Sequence, residues 1–214
     1  MPFDFLRRRK GAEAATAEAG HAGRRGTNAP FEGLTEEWRL VGVMEMPGRL
    51  TDILNKREAI PIGDVKWAPA DGSAAFSEVP GLKSVDPYDL ILVLAGEATQ
   101  PPLTEQEKAA HKVHKVAYDV ALEAPPYRVV GTVFLYPGSE PIRLLDRATE
   151  MFVPVVDAVA YLGDQPVSDP NIDTILVNRF YLRGVEQIDK RTGERPQKLP
   201  GAPLGGVSWQ ERTR

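Results

Sequence analysis

A single block of this chain occurs twice. Trp38-Arg39-Leu40-Val41-Gly42-Val43-Met44-Glu45-Met46-Pro47-Gly48 is matched by Tyr127-Arg128-Val129-Val130-Gly131-Thr132-Val133-Phe134-Leu135-Tyr136-Pro137-Gly138. Both copies carry an aromatic start, an arginine, an internal glycine and a Pro-Gly stop. Further blocks follow in the same order. A short apolar-spaced stretch (Arg49–Arg57; Ile142–Arg147) comes first, then Ile60-Pro61-Ile62-Gly63-Asp64 against Val153-Pro154-Val155-Val156-Asp157, then Asp89-Leu90-Ile91-Leu92-Val93 against Asp173-Thr174-Ile175-Leu176-Val177. A chain built this way must fold as two similar modules, so the module is the unit to derive.

Each block has a local preference. Trp38, Leu40, Gly42, Met44 and Met46 alternate with Arg39, Val41, Val43 and Glu45, which is a strand with one apolar face. Leu50, Ile53 and Leu54 lie at i, i+3, i+4 and predict two turns of amphipathic helix. Ile60–Trp67 predicts a second strand interrupted near Gly63, with Pro61 at an edge or a bulge. Tyr88–Ala95 is a continuous apolar run and predicts a strand buried on both faces. In the second copy Asn178-Arg179 turns the chain into a further strand over Phe180–Ile188, and Gly96–Thr99 is only a weak first-copy counterpart. Between the copies, Thr104-Glu105-Gln106-Glu107 is a capping box, and Ala109, Val113, Val116, Ala117 and Val120 form one stripe of a helix ending before Pro125-Pro126.

These preferences predict an α+β fold: two tandem strand, short helix, strand, strand repeats forming small antiparallel sheets, packed with pseudo-twofold symmetry and joined by one longer helix. The expected divisions are a disordered basic leash over 1–33, a first repeat over 34–100, the connecting helix over 101–125, a second repeat over 126–189 and a disordered basic tail over 190–214. The shared core is expected between the strand faces that begin at Trp38 and Tyr127.

Charge is distributed unevenly along the chain. Residues 31–189 hold 14 basic against 25 acidic side chains, whereas both ends are basic. Such a body repels phosphate backbones, so no nucleic acid is expected on it. The absence of cysteine excludes disulfides, thiolate metal sites and cysteine nucleophiles, and suits a reducing cytoplasm. No apolar run reaches the roughly eighteen residues of a spanning helix, and no apolar leader opens the chain.

The motif Arg49-Leu50-Thr51-Asp52-Ile53-Leu54-Asn55, preceded by a glycine-containing strand and followed by Ile60-Pro61-Ile62-Gly63-Asp64, resembles a family of small bacterial domains with no assigned activity. Their pattern runs from a strand through R-L-S/T-D-hydrophobic-L-N to a strand ending in N-K/R. The first copy keeps the helix motif, and the second keeps the ending as Val177-Asn178-Arg179. A looser likeness is to the Sm-like small barrels, in which a glycine-containing strand is followed by a polar turn, an asparagine and another strand. Neither resemblance implies a catalytic residue or a cofactor.

Candidate sites are few. At the N-terminus Phe3 and Phe5 adjoin Arg7, Arg8 and Arg9, a combination expected to dock on a protein partner or on a peripheral anionic membrane surface. On the expected helix, Glu107, His111 and His114 fall in one sector with Tyr118, a donor set that divalent metals accept. Interleaved Lys108, Lys112 and Lys115 and the lack of an HExxH arrangement favour a solvated face instead. Asp64 and Asp157 recur, as do Arg39 and Arg128. Repeated polar residues serve the module more often than a site, so caps or ion pairs are expected in preference to paired acid/base carboxylates. With no phosphate loop and no nucleophile elbow, the chain is expected to be a non-enzymatic cytoplasmic adaptor without cofactor. The alternative is a small-molecule or metal-sensing module using the cleft between the repeats.

Overall fold

The computed structural model describes residues 27–96, 99, 115–146 and 150–189. The fold is mostly β, not α+β. The first module comprises β1 (Thr27–Leu34), β2 (Trp38–Met46), helix α1 (Leu50–Asn55), β3 (Ile60–Pro61), β4 (Gly63–Pro69), β5 (Ser77–Glu78), β6 (Ser84–Val85), a 3-10 turn (Pro87–Asp89) and β7 (Leu92–Ala95). The second comprises β8 (Val116–Ala124), β9 (Tyr127–Leu135), a 3-10 turn (Pro141–Leu145), β10 (Phe152–Leu162), β11 (Gln165–Pro166), β12 (Thr174–Asn178), a 3-10 turn (Arg179–Tyr181) and β13 (Gly184–Gln187). All pairings are antiparallel, and one sheet runs β13-β8-β9-β10-β12-β7-β1-β2-β4-β5, with β11 beside β10 and β3–β6 as a separate ladder.

Two expectations are corrected here. The helix expected over 101–125 is a strand from Val116 onward, and residues 101–114 lie outside the described residues. Val120, Leu122 and Ala124 alternate into the core, a period of two that the helical stripe had masked. Pro125-Pro126, read as a helix stop, is the two-residue turn between Ala124 and Tyr127, with a cis peptide bond. Likewise the first module opens at Thr27, because β1 pairs with β2 along its whole length, from Thr27 opposite Met46 to Leu34 opposite Arg39.

The register shows which strands correspond. Gly42 and Gly131 each sit where the ladder to the next strand slips, between Val41 and Val43 and between Val156 and Val159. Both glycines allow close approach. A Cβ on Gly42 would lie 2.8 Å from the Gly63 carbonyl oxygen, and one on Gly131 would lie 2.7 Å from Val155 Cγ1 and 2.9 Å from the Val156 carbonyl oxygen. β7 pairs with the end of β1 as β13 pairs with the end of β8. Ser84–Val85 pairs with Ile60–Pro61 as Leu176–Val177 pairs with Val153–Pro154. Thus β6 corresponds to β12 and β7 to β13, and the sequence match of Asp89–Val93 to Asp173–Val177 joins non-equivalent strands.

The two modules are therefore not related by a twofold axis. They meet where β7 pairs with β12, Leu92 opposite Val177 through Ala95 opposite Thr174, and a twofold would have to pair equivalent strands or repeat this contact between β6 and β13. Both joint strands are buried on both faces. Leu92, Leu94, Ile175 and Val177 enter the core of the second module, while Val93, Ala95 and Leu176 enter that of the first together with Met151 and Phe152. Each core is completed by the other module.

Candidate functional site

The joint is held by two asparagines. Asn178 caps its 3-10 turn by accepting from the Phe180 N–H at 3.0 Å, and its fully buried amide donates to the carbonyl oxygens of Leu90 at 2.7 Å and Pro87 at 3.3 Å. Its backbone N–H continues the ladder to Ile91. Asn55, last residue of α1, accepts from the N–H groups of Met151 and Phe152, both at 2.8 Å, as an extra strand residue would. The two asparagines lie at the end of Leu50–Asn55 in the first module and within Val177-Asn178-Arg179 in the second. Each lies in the module where it meets the joint.

Other groups cross the same boundary. The Tyr127 hydroxyl donates to the Thr35 carbonyl at 2.6 Å, and Arg39 donates to the Val167 carbonyl at 3.2 Å while its Nε bonds Glu32 Oε1 at 2.6 Å. Phe180 packs against Tyr88 with ring centroids 5.8 Å apart, and the Arg57 guanidinium lies 5.7 Å from the Phe180 centroid. Burial raises the Tyr127 pKa from 10.0 to about 12, partly offset by the Arg39 charge. An unfolded tyrosine ionises first, so its contribution is complete below pH 10 and is lost as pH rises towards 12. Tyr127→Phe is expected to cost about 1 kcal/mol at neutral pH, for the lost hydrogen bond, and to flatten the fall in stability above pH 10 in denaturant titrations.

The repeated aspartates have a backbone role. Asp64 and Asp157 are exposed and stand at φ 51° and 47°, inside the slip that each module's glycine accommodates. Aspartate tolerates this left-handed conformation better than most residues. The sheet order places β12, β7, β1 and β2 between the two, so they belong to separate modules and form no acid/base pair. Arg39 and Arg128 pair instead with glutamates, Glu32 and Glu123, the latter at 3.0 Å. Asp64→Val or Asp157→Val is expected to lower stability by about 1–2 kcal/mol, and the corresponding glycine variants to lose less, measured by urea unfolding.

The remaining candidates sit as follows. Phe3, Phe5, Arg7, Arg8 and Arg9 lie outside the described residues, as do Glu107, His111 and His114. Tyr118, expected beside the histidines on a helix, is a half-buried residue of β8 packed against the second core. Among the described residues no group of three or more His, Asp or Glu is placed to hold a metal, and no helix is long and apolar enough to cross a membrane.

Exposed aromatics went unanticipated. Trp38 was expected to anchor the buried face of β2, yet it stays 37% exposed and stacks on the equally exposed Trp67 of β4, with centroids 5.0 Å apart and planes 23° apart. Tyr127, its counterpart, is buried at the joint. In the second module Phe134 and Tyr136 are 49% and 60% exposed, and the Lys115 ammonium lies 5.4 Å from the Tyr136 centroid. The strand alternation that puts Trp38 in line with Leu40 held no sign that the strand's first residue overhangs the core. Comparisons of the chain with models of protein families, with curated proteins and with solved structures find no match.

Proposed function

We propose that this chain is a non-enzymatic cytoplasmic adaptor, a rigid two-module body that engages protein partners through exposed aromatic side chains. The observation that supports it most is the stacked Trp38–Trp67 pair. Two large indole rings, each left more than a third exposed and stacked on one another, are the type of anchor around which binding energy concentrates. The acidic excess of residues 31–189 favours a partner with a basic rim around an apolar pocket. The N-terminal Phe3, Phe5 and Arg7–Arg9 supply a second attachment, to a protein or to an anionic membrane surface. Sensing in a cleft between the copies has less in its favour, since the joint is a continuous strand ladder.

The test is a cross-linking pull-down with three forms: the full chain, the double variant Trp38→Ala with Trp67→Ala, and a chain lacking residues 1–26. The deletion stops there because Thr27 opens β1. Partners held by the full chain and lost by the double variant support the reading. Partners indifferent to the tryptophans and lost with the deletion would move the contact to the N-terminal peptide, and no specific partner in any form would remove the adaptor reading.

A further inference from the structure

Rings elsewhere in this fold receive a cation from the chain itself. The Lys115 ammonium lies 5.4 Å from the centroid of exposed Tyr136, and the Arg57 guanidinium 5.7 Å from that of half-buried Phe180. Indole offers a cation the most favourable face of the aromatic side chains. Yet among the described residues no cation sits over Trp38 or Trp67.

The side chains that border the pair are of the opposite sign. Trp38 stands opposite Pro69 and Trp67 opposite Leu40, so both indoles lie on one face of the β2–β4 ladder. The turn that leads into Trp38, closed by the Thr35 N–H on the Trp38 carbonyl at 2.8 Å, carries exposed Glu36 and Glu37 at its tip. The Glu37 carbonyl accepts from the Ala70 N–H at 2.8 Å, which brings exposed Asp71 beside the same tip. Exposed Glu78 opposes Lys66, the neighbour of Trp67. Residues 35–38 and 66–78 thus hold four carboxylates against one ammonium. The next cation along β2, Arg39, points to the other face of the strand, where it pairs with Glu32 and donates to the Val167 carbonyl.

We infer that the Trp38–Trp67 stack is the seat for an arginine side chain on a basic segment of a partner protein. This rests on the adaptor reading and names the chemistry that the partner brings. A guanidinium is planar, weakly hydrated and stacks on aromatic faces, so it gains from the indoles and from the carboxylates together. An ammonium is a compact, strongly hydrated charge and gains less from the rings. A nucleic acid would bring bases to stack, but its phosphates would meet Glu36, Glu37 and Asp71.

Fluorescence anisotropy with the full chain tests it, using labelled peptides of equal length in which glycine alternates with arginine, with lysine, or with citrulline, which has nearly the shape of arginine without its charge. At low salt the arginine peptide is expected to bind about tenfold tighter than the citrulline peptide and about threefold tighter than the lysine peptide. Trp38→Ala with Trp67→Ala is expected to abolish this binding, and Glu36→Gln with Glu37→Gln to weaken it about fivefold. All of these residues are exposed, and circular dichroism checks the fold; the glutamine variant keeps both rings and so tests the seat even where the alanine variant does not fold. No binding of the arginine peptide, equal binding of the citrulline peptide, indifference to the glutamine variant, or tighter binding of a labelled oligothymidine overturns the inference. The pull-down repeated with the glutamine variant separates the two readings. Partners lost with the tryptophans but held undiminished by the glutamine variant leave the adaptor standing and overturn the arginine seat, whereas the expected peptide binding with no partner captured supports the seat and removes the adaptor.

Discussion

Asn178→Asp is expected to cost about 3–5 kcal/mol of unfolding free energy, the largest loss for a change of one amide to one carboxylate in this chain. The side chain is fully buried, and its amide faces the carbonyl oxygens of Leu90 and Pro87. A carboxylate there keeps the cap on the Phe180 N–H but turns two attractive contacts into oxygen facing oxygen, without water to screen them. The counterpart Asp86 is exposed, so a carboxylate is tolerated at that position of the module, and Asp86→Asn is expected to lie within about 0.5 kcal/mol of the parent. Urea unfolding measures both. A loss below about 1 kcal/mol for Asn178→Asp would mean that the amide does not pin the joint.

Gly131→Val is the second severe change, at about 3 kcal/mol or more. The added Cβ meets Val155 Cγ1 at 2.7 Å, the Val156 carbonyl oxygen at 2.9 Å and Ala158 Cα at 3.0 Å. Two of the three are backbone atoms of β10, which cannot rotate away, so the strand itself must shift at the slip in the β9–β10 ladder. Gly42→Val meets one backbone oxygen and the more adaptable Ile62 side chain, and is expected to lose less. Gly48→Ala meets nothing within 4 Å and serves as the control, within about 0.5 kcal/mol.

The contrast between these glycines was partly legible in the sequence. Gly42 and Gly131 recur inside strand patterns, where a missing side chain signals a close approach, and both mark one. The short helix also stood where Leu50, Ile53 and Leu54 put it, with Leu50 and Leu54 buried. The connecting helix failed for a physical reason. Val116, Ala117 and Val120 satisfy a helical stripe, while Val120, Leu122 and Ala124 satisfy a strand, and only pairing with β9 along nine residues settles the choice.

The matched apolar runs misled more instructively. Asp89–Val93 and Asp173–Val177 look alike because β7 and β12 are both buried on two faces at the joint, so their composition reports shared surroundings. The true counterparts differ, β6 from β12 and β7 from β13, because one of each pair lies inside and the other at an outer edge. That error carried the pseudo-twofold with it. The asparagines of the motif, Asn55 and Asn178, were visible as a pattern, but their role depends on Met151, Phe152, Leu90 and Pro87, which the sequence places far away.

The pairing of β7 with β12 is the claim on which the rest depends, and a cysteine-free chain makes it simple to test. Leu94→Cys combined with Ile175→Cys puts two thiols on directly opposed residues of an antiparallel ladder, within disulfide reach. On mild oxidation this pair is expected to close an intramolecular bridge, seen as a non-reducing gel shift of the monomer. The pairing of equivalent strands that a twofold calls for is probed by Leu94→Cys with Glu186→Cys, which is expected to stay reduced. Bridging of the second pair and not the first would contradict the joint and the module order built on it.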